Sequence, residues 1–209
     1  EKQIHRLAYF DHLTGLANRS YYQERMEDII RSATQNKTQF AFLFIDMDGF
    51  KSINDNFGHH IGDQFLQEIA QRLKFVAREV DFIVRLGGDE FCIIINNITD
   101  EASVADVAKR CLQKIAQPLM LNNHQIKPKA SIGISLFPKD GRNEPELLKA
   151  ADAAMYLAKQ TGKGRFVFYS PHMANQAQLR HEKESMLREA SAKEQFVLHY
   201  QPQVSLETG

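Results

Sequence analysis

The sequence predicts an α+β fold: a ferredoxin-like β-α-β-β-α-β unit whose antiparallel sheet is flanked by helices. Three observations carry that expectation. Short apolar runs of strand length alternate with stretches whose apolar residues recur at helical spacing. Two of the short runs flank the pair Gly87-Gly88, which marks a hairpin because glycine takes positive φ at no steric cost. The element types then follow in the order helix, strand, helix, hairpin, helix, strand, helix, strand.

Each element has its own signal. Tyr22, Met26, Ile29, Ile30 and Ala33 lie at helical spacing behind Asn18, a residue type that caps helix N-termini. Phe40 to Ile45 is short, aromatic and apolar, as a buried strand is. Ile61, Phe65, Leu66, Ile69, Leu73 and Val76 mark an amphipathic helix. Phe82-Ile83-Val84 and Phe91 to Ile95 form the hairpin strands, and Val104, Val107, Ala108, Cys111, Leu112 and Ile115 the next helix. Ile126 to Phe137 reads as one strand, closed by Pro138 and the turn Lys139-Asp140-Gly141. Leu147, Leu148, Ala151, Met155 and Ala158 give the last helical stripe, and Arg165 to Tyr169 a final strand.

Composition bounds the function. Of 209 residues, 43% are apolar and 25% charged, which is ordinary for a globular protein. The length leaves room beyond one domain for a linker or part of a second. Twenty-six basic residues balance twenty-six acidic ones. No net field gathers a polynucleotide or an anionic membrane, so nucleic acid and direct membrane contact are disfavoured, whereas small anions remain open. Cys92 and Cys111 sit in apolar runs without metal-ligand spacing, as core residues of a reduced, cytoplasmic protein do. No run is long enough to span a membrane, and no signal-peptide pattern is present. The chain opens mid-helix in character (EKQIHRLAYF) and stops at Thr208-Gly209, so it is expected to be a piece of a longer protein, whose missing N-terminal region could carry a membrane attachment.

Two acidic clusters stand out. Phe42-Leu43-Phe44-Ile45 runs into Asp46-Met47-Asp48, which sets hard oxygen ligands at a sheet edge. Magnesium favours one or two carboxylates plus substrate phosphates. Continued strand geometry sends Asp46 and Asp48 to one face, with Lys51 close enough to neutralise phosphate. Gly87-Gly88-Asp89-Glu90-Phe91 places two more carboxylates on a tight turn, where their repulsion calls for a cation or a basic neighbour. Taken alone, each cluster reads more readily as solvated polar turn residues than as a metal site.

Taken together these segments resemble the GGDEF family of diguanylate cyclases, with the motif unaltered in Arg85-Leu86-Gly87-Gly88-Asp89-Glu90-Phe91. Asp11-His12-Leu13-Thr14-Gly15-Leu16-Ala17-Asn18-Arg19 is similar to the family's DxLTGLxNR signature. Phe44 to Asp55 and Phe57-Gly58-His59-His60-Ile61-Gly62-Asp63 resemble its metal and phosphate segment. Ala130 to Ser135 and Ala151 to Lys159 resemble its later strand and last helix. The resemblance spans residues 8 to 170 in order, and the implied fold is similar to nucleotidyl cyclase and polymerase palm domains.

The resemblance implies that Asp46, the carbonyl of Met47 and Asp89 hold magnesium (or manganese) against GTP phosphates, with Glu90 assisting. It implies Asp89 as proton acceptor for the attacking 3′-hydroxyl, Asn54 and Asp63 as guanine contacts, and Phe50, Lys51, Lys159 and Lys163 around the phosphates. An amide and a carboxylate suit guanine, which offers both a carbonyl and N–H donors. Some relatives carry Arg where Lys163 stands; Lys keeps the charge but not the bidentate fork. The implied reaction condenses two GTP into cyclic di-GMP and pyrophosphate. Each domain binds one GTP, so a two-fold homodimer is required. Arg78 and Asp81 match the family's RxxD site for inhibition by the product.

The expected organisation is a connecting helix over 1–10, the cyclase domain over 11–170, a linker helix over 171–193 and, over 194–209, the truncated start of a second domain. Phe196 to Val204 resembles the opening of an EAL-type cyclic di-GMP phosphodiesterase, although the EAL motif itself is absent. Tandem proteins of this kind raise the alternative of a catalytically silent GTP-binding module that regulates the hydrolase. The presence of Asp46, Lys51, Asn54, Asp63, Gly87, Gly88, Asp89 and Glu90 argues for the enzyme.

Overall fold

A computed structural model describes residues 8–122, 124–173 and residue 195. The expected helix over 1–10 and linker over 171–193 fall largely outside these residues. So does the segment 194–209, apart from Gln195.

The centre of the fold is β1 (Phe40–Met47), and its sequence dictates why. Ala41, Leu43, Ile45 and Met47 point into one apolar cluster, whereas Phe40, Phe42 and Phe44 point into another. A strand apolar on both faces needs cover on both. Helices α1 (Arg19–Asn36) and α5 (Glu144–Gln160) supply Tyr22, Met26, Leu147, Ala151 and Met155 to the phenylalanine face. On the other face α3 (His59–Val76) and α4 (Glu101–Ile115) supply Phe65, Leu66, Ile69, Val104 and Cys111. Fully buried side chains such as Phe42, Leu43 and Ile45 contribute on the order of 2 kcal/mol each.

The sheet order is β2-β3-β1-β6-β7, with β2 (Phe82–Gly87), β3 (Glu90–Ile95), β6 (Ala130–Phe137) and β7 (Phe166–Phe168). Its first four members give the ferredoxin-like arrangement. β1 pairs antiparallel with both β3 and β6, but β7 joins β6 in parallel, so the sheet is mixed at one edge.

Two local expectations need correction. The run from Ile126 to Phe137 is not one strand. A small hairpin of β4 (Leu119–Leu121) and β5 (His124–Ile126) ends before Pro128, which lacks the N–H a ladder needs, and β6 begins at Ala130. A further helix, α2 (Phe50–Phe57), stands between β1 and α3. Phe50, Ile53 and Phe57 stand at helical spacing, but the stripe is only about two turns long and none of the helix's residues is fully buried, so it does not stand out from the loop after β1.

Gly133 sets the position of α5. A Cβ there would fall 1.8 Å from the Ala151 carbonyl oxygen and 2.3 Å from the Met155 nitrogen. Its absence lets α5 lie directly on β6 and brings the end of the helix over the end of β1. Both thiols are buried and free, and burial pushes Cys111 up to about 12. Among the described residues no helix is long and apolar enough to cross a membrane.

Candidate active site

The site forms where three strand ends meet. Asp46, one residue from the end of β1, pairs across the sheet with Glu90 on one side and Ser131 on the other. The tight turn at Gly87-Gly88 returns the chain so that the Asp89 carbonyl accepts the Met47 N–H at 3.3 Å. The Asp46 face is the one covered by α5, and Lys159 in the last turn of that helix reaches it, Nζ to Oδ1 at 2.7 Å. Asp46, Met47, Asp89, Glu90 and Lys159 are therefore brought to one edge, from segments far apart in sequence.

The electrostatics are those of an acidic centre short of positive charge. Burial is the main reason that the Asp46 carboxyl is raised; Lys159 opposes this, and repulsion from Asp89 and Asp48 adds to it. Glu90 is raised by burial first, then by Asp46, Asp89 and Asp152. Partial desolvation also raises Asp152, an exposed residue of α5 whose charge reaches Glu90, against the pull of Lys159. Among the described residues no three His, Cys, Asp or Glu side chains converge as a ready-made cage. Two facing carboxylates whose repulsion Lys159 relieves only in part nevertheless fit a hard divalent cation, which takes its remaining ligands from phosphate and water.

Asn54 and Asp63 share the corner between α2 and α3. Asn54 Oδ1 is buried with no hydrogen-bond partner, which leaves an acceptor free for a ligand N–H. Gly62 makes room for it, since a Cβ there would lie 1.9 Å from that oxygen. Asp63 and Lys51 are exposed, and the Phe50 ring stacks on Phe65 with centroids 5.8 Å apart. Lys163 is exposed in the turn after α5.

Arg78 and Asp81 lie apart from this edge, before β2, whereas Gly87 ends that strand. Their side chains do not pair. Asp81 Oδ2 accepts the backbone N–H of Arg78 at 2.9 Å, Oδ1 is buried without a partner, and the Arg78 side chain is exposed.

Sequence reasoning assigned no role to several residues that shape the site. Asp11 Oδ1 accepts the Thr14 hydroxyl at 2.6 Å and Arg85 Nη1 at 2.9 Å, while Arg85 Nη2 donates to the Gly88 carbonyl at 2.8 Å. This pins the hairpin tip to the loop before α1. The signal was present as charged residues inside two motifs, but their pairing spans 74 positions. Asp48 does not continue the strand; its carboxylate turns to Ser131 and Gly164.

Comparison with known proteins agrees with this geometry. Residues 8–165 match the family model described as diguanylate cyclase, GGDEF domain. The chain is 41% identical over 208 residues to the bifunctional diguanylate cyclase/cyclic di-GMP phosphodiesterase MucR of Pseudomonas aeruginosa, covering 100% of this chain and 30% of that protein. It superposes on the isolated GGDEF domain of TpbB from Pseudomonas aeruginosa with a TM-score of 0.78 and 34% identity, covering 81% of this chain and 99% of that one. The coiled coil and GGDEF domain of DgcB from Caulobacter crescentus, in complex with c-di-GMP, gives a TM-score of 0.74 at 27% identity, covering 80% of this chain and 88% of that one. The chain spans less than a third of the length of curated relatives such as MucR.

Proposed function

We propose that this chain, which belongs to the GGDEF domain family of diguanylate cyclases, condenses two GTP molecules into cyclic di-GMP and two pyrophosphates. The observation that carries the reading is the register pairing of Asp46 with Glu90 at the sheet edge, with Lys159 at 2.7 Å from Asp46. Such an edge suits phosphoryl transfer, where positioning and electrostatic stabilisation do most of the catalysis.

In this reading Asp46, the Met47 carbonyl, Asp89 and Glu90 would hold magnesium, or manganese in its place. The cation supplies charge neutralisation at the phosphates. The remaining steps belong to the chain's own residues. Asn54 Oδ1 accepts a guanine N–H, and Asp63 takes a second edge contact. Lys51, Lys159 and Lys163 surround the triphosphate beside Phe50, and release of Lys159 from Asp46 frees its charge for phosphate. Asp89 accepts the proton of the 3′-hydroxyl that attacks the α-phosphate of the second GTP. One domain holds one GTP, so two copies face each other in a homodimer. Arg78 and Asp81 bind product and limit its accumulation: the exposed guanidinium can stack on a guanine, and the buried Asp81 oxygen awaits a donor.

The domain is read as residues 11–170, between a connecting helix over 1–10 and a linker over 171–193 that leads into an EAL-type domain from 194. The reduced thiols and the nucleotide substrate fit a cytoplasmic location. Relatives named only as cyclic di-GMP phosphodiesterases, such as NbdA of Pseudomonas aeruginosa at 34% identity over 206 residues, favour one second reading, a GTP-binding module that controls a downstream phosphodiesterase without turnover. Incubation with GTP and magnesium at high protein concentration, followed by chromatography, separates the two. Cyclic di-GMP from the parent and none from D89A supports the cyclase; GTP binding without product supports the module.

A further inference from the structure

We propose that Asp48 is a positioning residue that clamps the turn carrying Lys163 beside the acidic edge. The proposal rests on the reading above that Lys163 contacts GTP phosphates. Asp48 sits two residues beyond Asp46, where alternation alone would make it a second cation ligand. Its carboxylate is instead engaged with neutral donors from two distant segments. Ser131 Oγ donates to Oδ1 at 2.9 Å and lies 3.1 Å from Oδ2, and the Gly164 N–H donates to Oδ2 at 3.0 Å. Ser131 is fully buried in β6, and the Asp48 N–H donates to the Lys129 carbonyl at 2.9 Å. One side chain therefore ties the end of β1 to β6 and to the turn after α5.

That turn needs an external hold. Gly162, Lys163 and Gly164 have φ values of +125°, +60° and +59°. For Lys163, which has a Cβ, the left-handed conformation is locally disfavoured. The Lys163 N–H donates to the Ala158 carbonyl at 3.0 Å, which fixes the turn to the helix end but not to the sheet. The Arg165 carbonyl, next in the chain, accepts the Ile132 N–H at 2.9 Å and joins the following residues to β6, while the Asp48–Gly164 bond anchors the turn itself. With both in place, Lys163 leaves the helix end at a set angle near the strand that carries Asp46, and a side chain held this way loses less freedom on gripping a phosphate.

The test uses this chain and four variants: D48A, D48N, K163A and D48A/K163A. Amide exchange at Gly164 reports the clamp, and GTP affinity in EDTA reports phosphate grip without turnover. In D48A the Gly164 amide should exchange at least about tenfold faster, and GTP binding should weaken roughly tenfold, as in K163A. The double variant should bind no more weakly than either single one. D48N keeps a carbonyl acceptor for Gly164 and offers an N–H that Ser131 Oγ can accept, so it should restore both readouts. If D48A does not fold, S131A tests the clamp one step removed: it leaves the Asp48–Gly164 bond but takes away the donor that aims the carboxylate, so Gly164 should still exchange faster, by a smaller factor than in D48A, and an unchanged rate overturns the proposal. Unchanged Gly164 exchange in D48A, or additive losses in the double variant, overturns the proposal. So does an effect of D48A confined to the magnesium dependence of activity, which would make Asp48 a cation ligand. Unchanged GTP affinity in K163A alone shows instead that the phosphate reading has failed, and the proposal falls with it.

Discussion

Arg85 grips Asp11 with one nitrogen, Nη1, at 2.9 and 3.1 Å from the two carboxylate oxygens, and so fastens the hairpin to the loop before α1. Burial by itself would raise the Asp11 carboxyl, but hydrogen bonds from Thr14 and Arg85 outweigh it and the net shift is downward. A depressed folded-state value means stability that is fully present above the ordinary aspartate range and is lost as pH falls through the folded value. D11N should therefore cost about 2 kcal/mol at neutral pH, by thermal unfolding. The gap between D11N and the parent should close on acidification; a gap that widens in acid contradicts the assignment.

The raised Asp46 and Glu90 carboxyls predict a cation effect that needs no turnover. Magnesium at about ten times its dissociation constant should stabilise the chain by ~1.4 kcal/mol against heat. E90Q removes part of the repulsion, so it should melt higher than the parent in EDTA and gain less from magnesium. Equal gains in parent and variant would place the cation elsewhere.

Gly62 should prove intolerant of even one methyl group. G62A drives a Cβ into Asn54 Oδ1, so the amide must rotate away and surrender its buried acceptor. The Michaelis constant for GTP should rise roughly tenfold, the cost of one hydrogen bond of this kind. In an N54A background the same substitution should add nothing, because the clash partner is gone. An equal effect in both backgrounds would point to the helix instead.

The RxxD pair predicts a separation of rate from feedback. R78A should leave the initial rate of cyclic di-GMP formation intact and raise the product concentration for half-inhibition at least about tenfold. Progress curves with and without added product give both quantities. A matching fall in the initial rate would mean that Arg78 serves the reaction itself.

Most of the sheet was legible because β1 and β3 are short apolar runs between clear breaks and Gly87-Gly88 marks the hairpin; β6 was legible in its body and at its Pro138 end, but not at its start. The small hairpin at Leu119–Leu121 and His124–Ile126 was not, since three-residue strands carry no usable period. The α2 helix escaped for a related reason: Phe50, Ile53 and Phe57 do fall at helical spacing, but eight residues are too few for that period to stand out. Within the site, the acidic residues were readable from motifs, but their partners were not. Lys159 meets Asp46 only because Gly133 lets α5 settle on β6, and Asp48 is claimed by Ser131 and Gly164 from 83 and 116 positions away. Contacts set by tertiary approach leave no local pattern.

The most direct test of the central claim follows cyclic di-GMP and pyrophosphate together as the chain is incubated with GTP and magnesium over a range of protein concentrations. The expected result is two pyrophosphates released per cyclic di-GMP, a specific rate that rises with protein concentration as dimers form, and loss of both products in D46A and D89A. GTP bound by the chain with neither product formed at any concentration would contradict it.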